Sequence, residues 1–445
     1  MESRQDAWSQ LSPSEKLAAR WARALSPGTP FVSSEAEAEY RARVTRLRKA
    51  WTLEGVPDRV PVCVLSNFFP FLWAGLTPYE AMYDYQRAAD AWLKCGRELE
   101  MDLLAGLMPP PGPALDLISP KLYSWPGHGL PKESTYQYNE GEWMLADEYD
   151  HLISDPTGFL LGEYLPRTAA GLEGFAQHGA MGDMAQIYTA PSYLMTWGLE
   201  EMRSSIDRIS KAGREVLEWL ACQAQAIDRA RAGGSPVLVC GLAAAPFDFV
   251  GDTLRGTREV YMDMYRRPAK LLEAVDKLVP VLLRWLTRRI TPQSPPIVVI
   301  PLHKGTDRSM SDEQFKEFYW PSLRRFLDGV REAGLMAYVL AEGSYNTRLE
   351  LFRELAPGTT IWHFDQTDLR EAKRVLQGTA CVQGNVPLPL LQLGSPEQVT
   401  ECCRGLIEDV APGGGYVLDA GAALDEAEGA NVQAMIRAAK EYGVY

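Results

Sequence analysis

The sequence has 445 residues, of which 46% are hydrophobic and 23% are charged, and its formal net charge is −13. This composition is typical of a globular protein with enough apolar residues for a large core. The acidic charge balance argues against proteins that hold nucleic acid or an anionic membrane by general electrostatic attraction, since those need a basic surface.

The chain begins with a predicted helical extension, residues 1–54, which precedes an alternating strand–helix pattern. Residues 59–66 (RVPVCVLS) are mostly apolar, which indicates a short buried strand. Apolar residues then recur every three or four positions over residues 78–101, as in a helix, and residues 102–107 are predicted to form a second strand. The main domain therefore starts in the order β, α, β.

Residues 108–155 interrupt this pattern. Proline and glycine punctuate the first half of the segment, while the second half (STYQYNEGEWMLADEYD) alternates enough to predict an inserted hairpin. An insertion that is this aromatic and polar commonly covers a binding site. We therefore predict a lid over the site.

The alternating pattern resumes after a mostly helical region, 156–234, that ends at a Gly-Gly pair. Further strands are predicted, with helices between them, at 236–242, 297–303, 336–341, 360–364, 380–384 and 416–419. Together with the two early strands this predicts an α/β fold, a closed (β/α)8 TIM barrel over residues 55–445, rather than an open doubly wound sheet.

Polar side chains follow most of these strands. In a TIM barrel, the residues after the strands meet at one mouth, where the active site lies. The side chains expected there are Asn67, His303, Asp307, Glu342, Asp365, Asn385 and Asp419. A histidine among carboxylates suits proton transfer, metal binding or the gripping of a cationic or hydroxylated substrate.

Among these residues we predict His303, Glu342 and Asp419 to be catalytic. The other four are predicted to bind substrate together with three lid residues, Trp125, His128 and Tyr138. Each has a structural alternative, which the sequence leaves open. The imidazole of His303 could be buried in the core with its nitrogens hydrogen-bonded, and the acids at the strand ends could cap helices. Asn385 could shape a turn, and the aromatic residues of the lid could serve only to pack.

Other sequence features narrow the function and the location. There is no Walker A loop, no G-x-G-x-x-G after a strand, no H-E-x-x-H and no G-x-S-x-G, so nucleotide-binding, zincin and α/β-hydrolase interpretations lack support. The seven cysteines contain no C-x-x-C pair, which favours reduced thiols in a cytoplasmic protein. Neither a signal peptide nor a membrane-spanning run of ~20 apolar residues is recognised.

Several of these motifs together resemble the uroporphyrinogen decarboxylase superfamily. They are GLAAAPF after the third strand, HKGTDRSMSDEQFKEFYWPSLRRF, AEG, QGNVPLPLL with GSPEQV, and APGGGYVLDAGAALD before a closing helix. That superfamily contains the heme-pathway decarboxylases and methyltransferases that exchange methyl groups between a corrinoid protein and thiols. The resemblance implies a (β/α)8 barrel with its site at the C-terminal mouth.

Departures from the family pattern indicate the branch. The arginine-rich segment by which the heme-pathway decarboxylases hold carboxylates is replaced by SNFFPFLWAG, and the place of their late histidine falls near Ala422. The H-x-C-G zinc motif of the thiol-directed methyltransferases reads Leu340–Gly343 here, and their last cysteine also falls near Ala422. Zinc is therefore not carried over, although a different metal site at His303 and Glu342 remains an alternative.

The resemblance leads us to expect a methyltransferase that moves a methyl group between a small methoxylated or other methyl-bearing substrate and a corrinoid (cobalamin) on a partner protein. A decarboxylase or lyase acting on a small carboxylic acid is the main alternative. A non-catalytic barrel that binds a tetrapyrrole is a third. We expect no nucleic-acid or membrane partner, and a homodimer is left open.

Overall fold

The protein is described from a computed structural model, over residues 8–104 and 108–445. Within these ranges the strands form two sheets. The smaller sheet has the order β2-β1-β3 and consists of β1 (Tyr123–Pro126), β2 (Gly129–Leu130) and β3 (Gln137–Tyr138). The larger is a parallel sheet in chain order: β4 (Val239–Leu242), β5 (Ile297–Leu302), β6 (Met336–Ala341), β7 (Thr360–Phe364), β8 (Cys381–Gln383) and β9 (Tyr416–Val417).

Two further segments close the larger sheet into a barrel. Residue Cys63 donates its backbone N–H to the carbonyl of Leu418 (3.0 Å), and Asp102 donates to Val62 (2.9 Å). Leu104 then donates to Pro236 (3.1 Å), ahead of β4. The ring of eight predicted strands is thus complete, and the TIM-barrel prediction is confirmed.

The first two predicted strands are less regular than expected. Segments 59–66 and 102–104 make isolated bridges rather than continuous ladders. Pro61 contributes to this, since proline has no N–H to donate to a neighbouring strand. The rest of the second predicted strand, residues 105–107, lies outside the described residues.

Helices of the N-terminal part agree with the predicted pattern, with one interruption. They are α1 (Pro13–Leu25), α2 (Ser34–Thr52), α3 (Phe69–Trp73), α4 (Pro78–Tyr83) and α5 (Tyr85–Leu99). The helix predicted over 78–101 is broken at Asp84, whose side chain accepts the backbone N–H of Arg87 (3.0 Å) and so caps α5.

The central part of the chain forms short helical pieces and one long helix. They are α6 (Gly112–Ile118), α7 (Tyr149–Ser154), α8 (Pro156–Phe159), a π-helical turn (Leu160–Tyr164), α9 (Leu165–Thr168), 3-10 turns (Ala170–Gln177 and Met181–Ala185), α10 (Ala190–Gly198) and α11 (Glu200–Ala232). As predicted, α11 stops at the Gly-Gly pair, where Gly234 takes a positive φ of 89°.

Helices alternate with strands in the remainder of the barrel. They are α12 (Pro246–Asp248), a π-helical turn (Phe249–Arg255), α13 (Thr257–Arg266), α14 (Pro268–Thr287), α15 (Asp312–Gln314), a π-helical turn (Phe315–Tyr319), α16 (Trp320–Glu332), a 3-10 turn (Asn346–Arg348), α17 (Leu349–Phe352), α18 (Leu369–Leu376), α19 (Leu388–Leu393), α20 (Pro396–Val410) and α21 (Gly429–Tyr442).

The predicted hairpin of the insertion lies earlier than expected. The antiparallel pairing joins β1 to β3, with Tyr123 opposite Tyr138. Residues 139–148, which the alternation had assigned to the hairpin, are irregular. Their backbone instead bonds to the π-helical turn after α12, where the carbonyl of Leu254 accepts from Trp143 and Met144 (both 2.8 Å).

Helices α1 and α2 seal the N-terminal end of the barrel. Trp21 and Trp51 are buried against interior residues from the strand starts, such as Met336 and Cys381. The Trp51 indole also donates to the side chain of Gln383 (3.3 Å) inside the barrel. The open end is therefore the C-terminal one, at which the predicted site residues lie.

A buried ion-pair network ties α2 to the first two strand segments. Asp102 has no exposed surface, and its carboxylate accepts from Arg46 (2.5 Å), from Arg59 (2.8 Å) and from the backbone of Val62 (2.8 Å). Arg46 also pairs with Asp58 (2.6 Å). This network replaces part of the ladder that the two irregular strands lack.

Among the described residues, no helix is both long enough and apolar enough to cross a bilayer.

Candidate active site

A buried carboxylate shapes the turn that carries His303. Asp248, on α12, is 1% exposed and accepts the backbone N–H groups of His303 (3.1 Å) and Lys304 (3.0 Å). The Tyr319 hydroxyl donates to the same carboxylate (2.7 Å). Burial raises the pKa of Asp248, and the negative charge of Asp252 adds to this. Asp248 therefore holds the histidine in place from below.

A second carboxylate orients the imidazole ring. His303 Nδ1 donates to Asp252 Oδ2 (2.6 Å), and the other oxygen of Asp252 pairs with Lys304 Nζ (2.8 Å). Burial alone would raise the pKa of Asp252, but its bonds to His303 and Lys304 outweigh burial and lower it. Asp252 is thus an anion that fixes which ring nitrogen points inward and which points to the mouth.

The outer ring nitrogen faces a third carboxylate across a gap. His303 Nε2 lies 3.7 Å from Glu342 Oε2, which is longer than a hydrogen bond. Both side chains are partly open to solvent, at 36% for His303 and 43% for Glu342. Burial raises the pKa of Glu342, as do the charges of Asp365 and Asp252. The Nε2–H group can therefore donate a hydrogen bond to a ligand atom that lies between His303 and Glu342.

The charge state of the histidine follows from these neighbours. Burial would lower the pKa of His303, but the bond to Asp252 and the charges of Asp248, Asp252 and Glu342 outweigh it and raise the pKa to about 9. His303 is consequently an imidazolium at neutral pH. A cation with a free N–H can give a proton to a substrate atom or bind a developing negative charge.

Tyrosines of the insertion cover this group. Tyr136 packs against Phe68 with ring centroids 5.9 Å apart, and Tyr123 contacts both Tyr136 (5.8 Å) and Tyr138 (5.5 Å). The pKa of Tyr123 and that of Tyr138 are raised by burial and then by the charge of Asp252. The tyrosines of the insertion therefore lie within reach of the charge of Asp252, and the substrate contact predicted for Tyr138 stays a prediction.

The lid is attached to the turn that carries Asp252. Arg255, which is 1% exposed, pairs with Glu142 (2.5 Å) and with the buried Asp263 (2.7 Å). The Tyr149 hydroxyl also donates to Asp263 (2.9 Å). Arg255 and Asp252 share one π-helical turn, so the ion pair with Glu142 joins the insertion to the turn that carries the carboxylate orienting His303.

Three predicted site residues instead use their side chains to hold backbone. Asp307 accepts from the backbone of Asn346 (2.7 Å) and from the Ser344 hydroxyl (2.7 Å). Asp365 accepts from the backbone of Gly343 (3.0 Å), although its charge still reaches Glu342. The Asn385 amide donates to the carbonyls of residues 365 (3.1 Å) and 367 (2.9 Å). Their predicted substrate contacts stay untested.

Asp419, predicted to be catalytic, lies in a buried network. It has no exposed surface and accepts from the backbone of Leu65 (3.0 Å), the backbone of Ala420 (2.8 Å) and the Gln383 amide (2.8 Å). Burial raises the pKa of Asp419. These contacts hold Asp419 within the barrel wall, and its predicted catalytic role stays a prediction.

The remaining predicted residues lie at the edge of the site. Asn67 hydrogen-bonds Asp425, whose carboxylate also accepts from the backbone of Phe68 (3.2 Å). Trp125 is 5% exposed and stacks on His128 with centroids 4.8 Å apart. His128 in turn lies 2.9 Å from Asp116. Trp125 and His128 thus support the lid. Among the described residues, neither side chain contacts His303, Asp252 or Glu342.

Sequence reasoning missed two acids and two lid tyrosines, namely Asp248, Asp252, Tyr123 and Tyr136. The signal for the acids was a pair spaced four residues apart, directly after the small residues of GLAAAPF. The pair went unnoticed because both acids lie on helical turns beyond the strand end. The signal for the tyrosines was the aromatic clustering of the insertion, which could not say which rings face the mouth.

The site does not fit the zinc ion of the thiol-directed relatives. Among the described residues, no group of three or more His, Cys, Asp and Glu side chains is arranged to hold a metal ion. At the predicted ligand positions the chain has Leu340 and Glu342 in place of the histidine and cysteine of H-x-C-G, and Ala422 near the place of the later cysteine. No step of the reaction proposed below therefore involves zinc.

The role of Asp252 can be tested directly. In Asp252→Asn the pKa of His303 should fall from about 9 toward its ordinary value of 6.5, because the charged partner of Nδ1 is lost. The pKa is measured by NMR titration of the histidine ring. Asp276→Asn, at an exposed acid on α14, is the matched control and should leave it near 9. An unchanged pKa in Asp252→Asn would refute this electrostatic account.

Comparisons with known proteins agree with the barrel. Residues 200–442 match the family model described as uroporphyrinogen decarboxylase (URO-D). A solved structure of a methyltransferase from Methanosarcina mazei superposes with a TM-score of 0.58 at 17% sequence identity, covering 89% of this chain and 98% of that one. At this identity the likeness shows the fold alone. No curated protein sequence matches the chain.

Proposed function

The chain belongs to the uroporphyrinogen decarboxylase family, and we propose that it is a methyltransferase that moves a methyl group from an oxygen of a small substrate to the cobalt of a corrinoid held by a partner protein. One observation carries the proposal: Asp252 orients His303 through Nδ1, and among the described residues the nearest acid to Nε2 is Glu342, across a gap of 3.7 Å; the raised pKa of His303 supports it. That is the arrangement of a general acid for a leaving oxygen.

The proposed step needs one proton and one electron pair. The methyl–oxygen bond breaks and its electron pair remains on the oxygen, which takes the proton from His303 Nε2. The methyl group bonds to cobalt(I), which supplies the electron pair of the new bond and becomes cobalt(III). The demethylated alcohol or phenol leaves, and His303 regains a proton from solvent.

The acidity of His303 suits a phenol as leaving group. Its pKa of about 9 lies close to the value of about 10 for an ordinary phenol, so proton transfer between the two is nearly balanced. The partly exposed rings of Tyr123 and Tyr136 add flat apolar surface near the same mouth, and the buried Phe68 packs behind Tyr136. These features support a methoxylated aromatic as the substrate class.

The charge of the mouth supports an uncharged substrate. Three acids act on His303, namely Asp248, Asp252 and Glu342, and the charge of Asp365 acts on Glu342. Lys304 is already paired with Asp252 and also donates to the Thr257 hydroxyl (2.5 Å). A carboxylate substrate would meet several acids and only the single cation of His303 to hold it, which weighs against decarboxylation of a small acid.

The acceptor can be tested with a panel of donors. The protein is mixed with a cobalt(I) corrinoid and methoxylated aromatics, methyl ethers or methylamines, and the products are followed by mass spectrometry and visible absorption. The proposal expects equal amounts of demethylated product and methylated corrinoid from an ether donor. Release of carbon dioxide from a small acid without any change at cobalt would identify a decarboxylase instead.

A further inference from the structure

A second cavity lies at the opposite end of the barrel from the mouth. It has a volume of about 190 Å³, is partly open to solvent, and is lined by α1 and the loop after it, by α2, by the end of α11, and by the segments that enter β4 and β5. The lining includes Ser26, Tyr40 and Ser294, each of which carries a hydroxyl group. The sealed barrel interior separates this cavity from His303.

The cavity is cationic although the chain is acidic. Arg20, Arg23 and Arg231 contribute to its lining, and none of its lining residues is an aspartate or a glutamate. The whole chain has 58 acidic and 45 basic residues. The lining of this cavity, with three arginines and no acid, is therefore positively charged, whereas the chain as a whole is negatively charged.

Arg20 is a buried cation without a carboxylate partner. The residue is 2% exposed, and no ion pair among the described residues includes it. Its two hydrogen bonds, to the carbonyls of Thr291 (2.8 Å) and Ser294 (2.7 Å), both start from Nη1. Its Nε is buried with no hydrogen-bond partner among those residues. A buried charge that is not neutralised costs several kcal/mol in general, so a counter-ion would be favoured.

The other two arginines line the same cavity and differ in how firmly they are held. Arg231 Nε is also buried and unpaired, and its Nη1 has only a distant contact, 3.7 Å, with the exposed Asp228. Arg23 donates to the carbonyl of Pro292. The Trp8 ring lies 5.0 Å from the Arg20 guanidinium and 5.6 Å from that of Arg23. The guanidinium groups of Arg20 and Arg23 are thus ordered before any ligand arrives, whereas that of Arg231 keeps donors free for a ligand.

We propose that this arginine cavity binds a small oxyanion, with phosphate as the main candidate class. Guanidinium groups match the oxygens of phosphate and carboxylate through paired, charge-assisted hydrogen bonds. The volume decides the size of the ligand, since sites for drug-sized molecules span roughly 300–1,000 Å³. A free phosphate, a sulfate or a short carboxylic acid fits this limit, whereas a nucleotide does not.

The experiment uses the full chain, with inorganic phosphate as the probe and chloride to keep the ionic strength constant. Calorimetric titration should show saturable binding of one phosphate per chain. Thermal unfolding should shift upward with phosphate concentration, because a ligand that binds the folded state stabilises it by mass action. Sulfate and acetate are titrated in parallel, and whichever of the three binds most tightly identifies the oxyanion class.

The arginines are tested with matched variants. The double variant Arg23→Gln/Arg231→Gln leaves Arg20 and its loop contacts intact, and should weaken phosphate binding at least about tenfold. The control Arg370→Gln/Arg404→Gln removes two exposed arginines elsewhere and should bind like the unmodified chain. Absence of saturable binding by all three anions would overturn the proposal. Equal affinity in the Arg23→Gln/Arg231→Gln variant would do so as well.

This site is independent of the proposed methyl transfer. The arginine cavity makes no use of His303, and loss of methyl transfer in a His303 variant would leave phosphate binding unchanged. Conversely, the Arg23→Gln/Arg231→Gln variant keeps every group of the mouth. The two proposals can therefore fail separately.

Discussion

Replacing His303 with glutamine should lower kcat/KM for methyl transfer by about 100- to 10,000-fold, the usual contribution of a positioned general acid. Glutamine can still donate a hydrogen bond, but it has no proton to give to a leaving oxygen. The free Nε2–H of the imidazolium is the group that the variant removes. Steady-state kinetics with the best donor from the panel measure the effect.

The pH profile separates proton donation from a merely structural loss. In the unmodified protein kcat/KM should fall as pH rises through about 9, since His303 loses its proton there, and this basic limb should be absent in His303→Gln. His151→Gln, at an exposed histidine in α7, is the control and should keep both rate and profile. A His303→Gln variant with full activity would remove the centre of the mechanism.

Replacing Asp102 with alanine should destabilise the fold by about 3–5 kcal/mol, the usual cost of breaking a buried ion pair from one side. Arg46 and Arg59 would lose the carboxylate that joins α2 to the first two strand segments. The free energy of unfolding is measured by urea titration followed by circular dichroism.

A surface pair supplies the comparison for Asp102. Glu54 pairs with Arg48 (2.6 Å) while 54% exposed, and Glu54→Ala should change stability by no more than about 1 kcal/mol. If Asp102→Ala proved as mild as Glu54→Ala, the ion network would not be what joins the two irregular strands to α2.

The barrel was largely predictable because its strands are apolar on both faces. The β6 and β7 segments are continuous runs of apolar or buried residues, and their predicted bounds agree with the structure. The first strand was harder to delimit, since Pro61 interrupts its hydrogen bonds and neighbouring segments supply the closure. Closure of the barrel depends on contacts between residues far apart in the sequence. The spacing of apolar residues along the chain carries no information about such contacts.

The site was predictable only in part, because a position after a strand does not determine what a side chain contacts. His303 and Glu342 were found by that rule and do face each other. Asp307 follows the same rule but bonds to the backbone of a neighbouring loop. Asp252 breaks the rule, since it reaches the histidine from a helical turn. Only the folded loops decide between these outcomes.

The most direct test of the proposed function follows the methyl group itself. A donor with a deuterated methyl group is mixed with the protein and a cobalt(I) corrinoid at pH 7, and the label is traced by mass spectrometry. Our account predicts transfer of the intact deuterated methyl group to cobalt, and transfer at least about 100-fold slower with His303→Gln. Demethylated product without label on cobalt, or equal transfer by both proteins, would contradict it.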